Sequence, residues 1–158
     1  MNSAELSQKI LQLTQIKTDY LANISKILNV KLHRVEQVED PFLLIPIPTN
    51  IELYQSKDFD NGSLLRSVEA KIFTRDSENI GTLSLSLVEG ENIYVEELID
   101  GASLTKADTQ ITQIIPEIDS CLITYPVNGN HVIFYQKIAD NYKLTDIIIN
   151  TVKVNHPS

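Results

Sequence analysis

The stretch SCLITYPVNGNHVIFYQKI, residues 120–138, decides how this chain is read. Two runs rich in β-branched and aromatic residues, Ser120 to Val127 and Asn130 to Ile138, flank Asn128-Gly129. Asn-Gly tolerates the two positive φ angles of a type I′ turn, whose twist matches that of paired strands. The stretch therefore predicts an antiparallel hairpin. Beyond it, Asp140-Asn141 marks a second tight turn into a long strand, Tyr142 to Val154. Before it, Leu64 to Thr74 and Thr82 to Val88 read as strands joined by the polar turn Arg75-Asp76-Ser77-Glu78-Asn79. A turn at Glu89-Gly90-Glu91 leads to a further strand, Asn92 to Ile99. Val30 to Val35 and Ile51 to Tyr54 are short strands. Between them, Pro41, Pro46 and Pro48 exclude a helix or a central strand and predict an extended edge segment or covering loop. Ser56 to Ser63, with Asn61-Gly62, is a loop.

The N-terminal segment changes period. Leu6, Ile10, Leu13, Ile16, Tyr20, Ile24 and Ile27 recur every three or four residues, which puts them on one stripe of an amphipathic helix over 3–28. Ser3 is a usable N-cap, Glu5 suits the first turn, and Asn29 is a C-terminal stop. Leu104, Ala107, Ile111, Ile114 and Ile115 also follow helical spacing, so Ser103 to Ile115 is read as a second helix packed on the sheet, ended by Pro116. Together these predict one α+β domain over 1–158. A helix leads an antiparallel β-sheet meander, with mostly β structure over 30–154.

Composition narrows the partners. With 158 residues, 42% of them hydrophobic, the chain is long enough to bury a core without staples. The net charge of -8 argues against nucleic acid, which needs a basic footprint. No apolar run approaches the roughly 18 residues that span a bilayer, so no membrane partner is expected. The opening MNSAELSQKILQLTQIK lacks a signal peptide's apolar core, and one cysteine, Cys121, rules out an internal disulfide. Both point to a reducing, cytoplasmic setting.

Motifs of high specificity are missing. His33, His131 and His156 show no metal-ligand spacing, and no metal or cofactor is expected. Cys121 reads as a small buried hydrophobe. Glu89, Glu91, Glu96, Glu97 and Asp100 lack the order of a calcium loop and read as a solvated face. Strand parity is more informative, because alternate side chains share a face. Leu64, Arg66, Val68, Ala70 and Ile72 form the apolar set of their strand, which turns Arg66 inward. There it is either an internal ion pair, a strand-end arginine reaching for water, or a clamp for a carboxylate or phosphate. Val132, Phe134, Gln136 and Ile138 share a face, which makes Gln136 an interior amide that satisfies backbone groups or lines a polar pocket.

Three stretches resemble the chorismate lyase family, including its cyanobacterial and plastid relatives, and the effector-binding domains related to it. Residues 20–32, YLANISKILNVKL, resemble the family's opening helix and first strand. Leu64-Leu65-Arg66 followed by Val68 to Val88 resembles its arginine-bearing hairpin. Residues 128–136, NGNHVIFYQ, resemble its last hairpin, where a Gly-containing turn precedes a catalytic acid. Members of that family release pyruvate from chorismate and leave 4-hydroxybenzoate, without metal or cofactor, in a buried pocket of an antiparallel sheet flanked by helices. The resemblance implies that Arg66 holds a substrate carboxylate and that the ligand is a small aromatic carboxylate. It places Gln136 where the family has its catalytic glutamate. An amide cannot donate a proton as a carboxylic acid does, so the resemblance implies a ligand pocket with or without turnover. On the strand Thr82 to Val88, Leu85 and Ser86 stand where a second arginine is expected.

A different class fits the same features. The chain is also similar to type III secretion chaperones, which are small, acidic α+β proteins that begin with a helix and usually dimerise. In that reading the partner is a protein segment taken by an apolar stripe or a strand edge. The sequence leaves the oligomeric state open.

Overall fold

Asn2 starts the first helix: its side-chain oxygen accepts the backbone N–H of Glu5 at 2.8 Å. The cap is thus Asn2 and not Ser3, which opens α1, Ser3–Thr14. A computed structural model describes residues 2–36, 51–59, 62–73, 81–102 and 111–151. The single helix expected over 3–28 is two, α1 and α2 (Tyr20–Leu28). Thr14, Thr18 and Asp19 cluster at the break, all poor helix formers, and Asp19 adopts a left-handed φ of 49°. Asn29 ends α2 as expected, with a φ of 53° and its N–H bonded to the carbonyl of Ser25.

Among the described residues, eight strands form one antiparallel sheet: β1 (His33–Val35), β2 (Ile51–Ser56), β3 (Leu65–Phe73), β4 (Gly81–Leu87), β5 (Ile111–Ile115), β6 (Ser120–Val127), β7 (Asn130–Lys137) and β8 (Lys143–Thr151). Their order is β1-β2-β3-β4-β8-β7-β6-β5. Two meanders therefore meet along β4 and β8, and among the described residues β1 and β5 are the outermost strands. The Asn128-Gly129 hairpin is present, with φ of 51° and 79° and Val127 opposite Asn130.

Two expected elements are different. Residues 92–99 are not a strand: α3 runs Val95–Ala102. Val95 and Leu98 are buried three residues apart, and Glu96 and Glu97 suit the positive end of a helix. The Glu97 carboxylate also accepts the N–H of Tyr94 at 3.2 Å. The helix read over 103–115 is contradicted where it can be seen, because Ile111–Ile115 is β5, paired with β6. Four β-branched residues in five favour a pleated edge over a helix, and pairing with β6 decides it. The second helix on the sheet is therefore α3. Residues 103–110, the proline segment within 37–50, the turn at 75–79, Asn61, the last residues of the final strand and His156 lie outside the described residues.

The sheet's apolar face is organised in rows across the strands. One row runs Ile123, Phe134, Ile147, Leu85 and Val68; the next runs Tyr125, Val132, Ile149, Leu83 and Ala70. These residues form one core with Leu6, Ile10, Leu13, Tyr20, Ile24, Leu28 and Leu98 from the helices. Ser7 on α1 donates to the carbonyl of Leu98 at 2.8 Å and ties α1 to α3.

The far end of α1 is tied to the hairpin. Asn130, buried, donates through Nδ2 to the carbonyl of Thr14 at 2.8 Å, and Asn128 donates to the Thr14 hydroxyl at 3.2 Å. Asn130→Ala leaves the buried Thr14 carbonyl short of this donor. The expected cost is about 1–2 kcal/mol in urea unfolding. A loss below a few tenths would show that the tie carries no stability.

Candidate functional site

A third row of the sheet differs from the other two. Cys121 faces Gln136, Gln136 faces Leu144, and across the sheet Leu65 faces Leu87. The ladder slips twice at this end. Leu65 pairs with Leu87 and Ser67 with Ser86, which leaves Arg66 as an extra residue on β3. Tyr135 pairs with Asp146 and Gln136 with Leu144, which leaves Thr145 extra on β8. Such β-bulges re-aim a side chain and are frequent beside functional sites. Thr145 is held by its hydroxyl, which donates to the carbonyl of Tyr135 at 3.2 Å.

Both extra residues open onto the same groove, of about 290 Å³. Leu87, Val88 and Leu144 also border it, with the side chains of Leu87 and Leu144 buried in the core. Arg66, Lys137 and Lys143 supply cations, and Glu89, Asp140 and Asp146 supply carboxylates. Arg66 pairs with Glu89 at 3.6 Å, the two side chains being 57% and 92% exposed. Lys137 pairs with Asp140, also at 3.6 Å, and the Ser86 hydroxyl donates to Asp146 at 2.8 Å. Ion pairs this exposed contribute about 0–1 kcal/mol, so an incoming anion displaces them at little cost.

Arg66 is exposed and does not point inward, which corrects the parity reading. The bulge resets the alternation: Leu65 and Val68, three apart, both face the core, and Arg66 turns away between them. Gln136 is inward, buried in the same row as Cys121. It does not line the groove that holds Arg66, so the two candidates do not share that site. Sequence alone does not mark Lys137, Lys143, Thr145 or Asp146 as ligand groups, and it reads Glu89 as part of a solvated acidic face. One signal was present, because Leu144 and Ile147 are buried three residues apart, the same irregular spacing as Leu65 and Val68.

Among the described residues, no group of His, Cys, Asp and Glu side chains could hold a metal ion. Nor is any described helix long and apolar enough to cross a membrane. In comparisons with known proteins, no family model, no curated protein and no solved structure matches this chain.

Proposed function

We propose that this domain binds a small aromatic carboxylate in the groove framed by the two bulges, with Arg66 as its carboxylate clamp. The observation that carries the reading is the pair of extra residues, Arg66 and Thr145, which open onto one groove from different strands. A guanidinium offers two parallel donors that match a carboxylate's two oxygens. Its pairing with exposed Glu89 is weak enough to exchange for a ligand. At about 290 Å³ the groove sits at the small end of small-molecule sites. Half-buried Val88 at its border suits the apolar part of such a ligand. The resemblance to chorismate lyases supplies the ligand class.

The reading is of binding and not of turnover. Gln136, which stands where that family has its acid, is buried outside the groove and has no proton of carboxylic acidity to give. Wild-type protein incubated with chorismate is expected to release no 4-hydroxybenzoate.

Titration calorimetry with 4-hydroxybenzoate and chorismate tests the proposal. Wild type is expected to bind at least one of them. Arg66→Ala is expected to weaken binding by at least about tenfold, on the order of one charge-assisted hydrogen bond. Arg66→Lys, which keeps the charge and loses the fork, is expected to fall between. If neither compound binds wild type, or Arg66→Ala binds as tightly, the proposal fails.

A further inference from the structure

The cations of the groove are not equally neutralised. Arg66 has Glu89 and Lys137 has Asp140, each at 3.6 Å. Lys143, half-buried on β8, has no ion pair among the described residues. The register sets it directly opposite Lys137 on β7, and both line the groove. Like charges opposite one another destabilise a pair of strands. The third carboxylate, Asp146, is engaged on the β4 side, where it accepts the Ser86 hydroxyl. The three cations and three carboxylates of the groove cancel in total, so the excess of positive charge is local to the two lysines. Arg66 stands on β3 and Lys143 on β8, with β4 between them. At the usual spacing of neighbouring strands their backbones lie roughly 10 Å apart. One end of the groove thus carries a forked cation and the other two point-charge cations.

We propose that Lys137 and Lys143 form a phosphate subsite, and that the ligand is an aromatic carboxylate bearing a phosphate monoester at its far end. This rests on the carboxylate clamp proposed for Arg66, which holds the near end. A phosphate monoester carries a charge of about −1.5 to −2 at neutral pH, with three acceptor oxygens in a tetrahedral group. Two ammonium groups on flexible stems, each with three donors, share such a group between them. A carboxylate is planar and singly charged, and arginine's fork at the other end matches it better. A dianion between the lysines turns their mutual repulsion into a shared attraction. The exposed pair of Lys137 with Asp140 is weak and exchanges for it at little cost.

Titration calorimetry on the full chain with 4-hydroxybenzoate, with its phosphate ester 4-carboxyphenyl phosphate, and with inorganic phosphate tests this. The two aromatic compounds differ only in the group that reaches the lysines. Wild type is expected to bind the ester at least about tenfold more tightly than 4-hydroxybenzoate. Lys143→Met, which keeps an unbranched side chain and drops the charge, is expected to bring the ratio of the two affinities back towards one, with a melting temperature close to wild type. Lys143→Arg is expected to keep the gain. An ester that binds wild type no better than 4-hydroxybenzoate overturns the phosphate subsite, and so does a Lys143→Met protein that retains the full gain. In both cases 4-hydroxybenzoate binding still reports on the Arg66 clamp by itself. Inorganic phosphate that binds through Lys143 while neither aromatic compound binds overturns the ester as ligand and, with it, the clamp.

Discussion

Phe134→Ala is expected to lower the unfolding free energy by about 3–5 kcal/mol, the largest effect of any substitution considered for this protein. Phe134 is fully buried near the middle of the sheet, between Ile123 on β6 and Ile147 on β8. Its ring meets that of Tyr125 edge-to-face, with centroids 5.9 Å apart at 76°. Truncation removes the transfer energy of the ring and the aromatic pair, and leaves a void that paired strands cannot close. A domain of this size is stable by only about 5–15 kcal/mol, so a third or more can be lost. In urea the midpoint is expected to fall with the slope unchanged. A loss under about 1 kcal/mol would mean that the two rows of the core do not meet at Phe134.

Gly81→Ala is expected to destabilise by about 1–3 kcal/mol, opposite in sign to the gain that a strand glycine usually gives when a side chain is added. A Cβ at Gly81 would stand 2.5 Å from the carbonyl oxygen of Lys71, and 3.2 Å from both Ile72 Cδ1 and Tyr20 Cε1. The oxygen belongs to the backbone of β3, paired with β4 on one side and β2 on the other, so it cannot swing aside. Tyr20 is the first residue of α2 and sits in the core. Gly81 is thus where α2 comes down on the start of β4. Thermal melting of Gly81→Ala beside wild type reads the effect, and a melting temperature equal to or above wild type would contradict this packing.

What could be read from sequence follows from how local the signals are. The 120–138 hairpin was legible because Asn128-Gly129 and its two flanking runs contain all that the turn needs. The α1–α2 stripe was legible as apolar spacing, and its break at Thr18-Asp19 was obscured because Tyr20 continues the same spacing. α3 reads as a strand in sequence because Val95 and Ile99 have strand propensity, while its acidic first turn, Glu96 and Glu97, looks like a solvated face. β5 reads as a helix in sequence because Ile111, Ile114 and Ile115 suit either period, and only the pairing with β6 separates them. At the site, parity failed at one residue. Arg66 is the bulge, and alternation inverts across it. The groove itself joins β3, β4, β7 and β8, which are distant in sequence, so Lys137, Lys143 and Asp146 could not be grouped with Arg66 before the register was known.

A small aromatic carboxylate is expected to meet the groove framed by the bulges and not the buried row of Cys121 and Gln136. Amide chemical-shift mapping of labelled wild type during titration with 4-hydroxybenzoate decides it most directly. Shifts are expected at Arg66, Val88, Glu89, Thr145 and Asp146, which line the bulge-framed groove. Saturation without change at those amides, or change confined to the buried row of Cys121 and Gln136, would contradict the account.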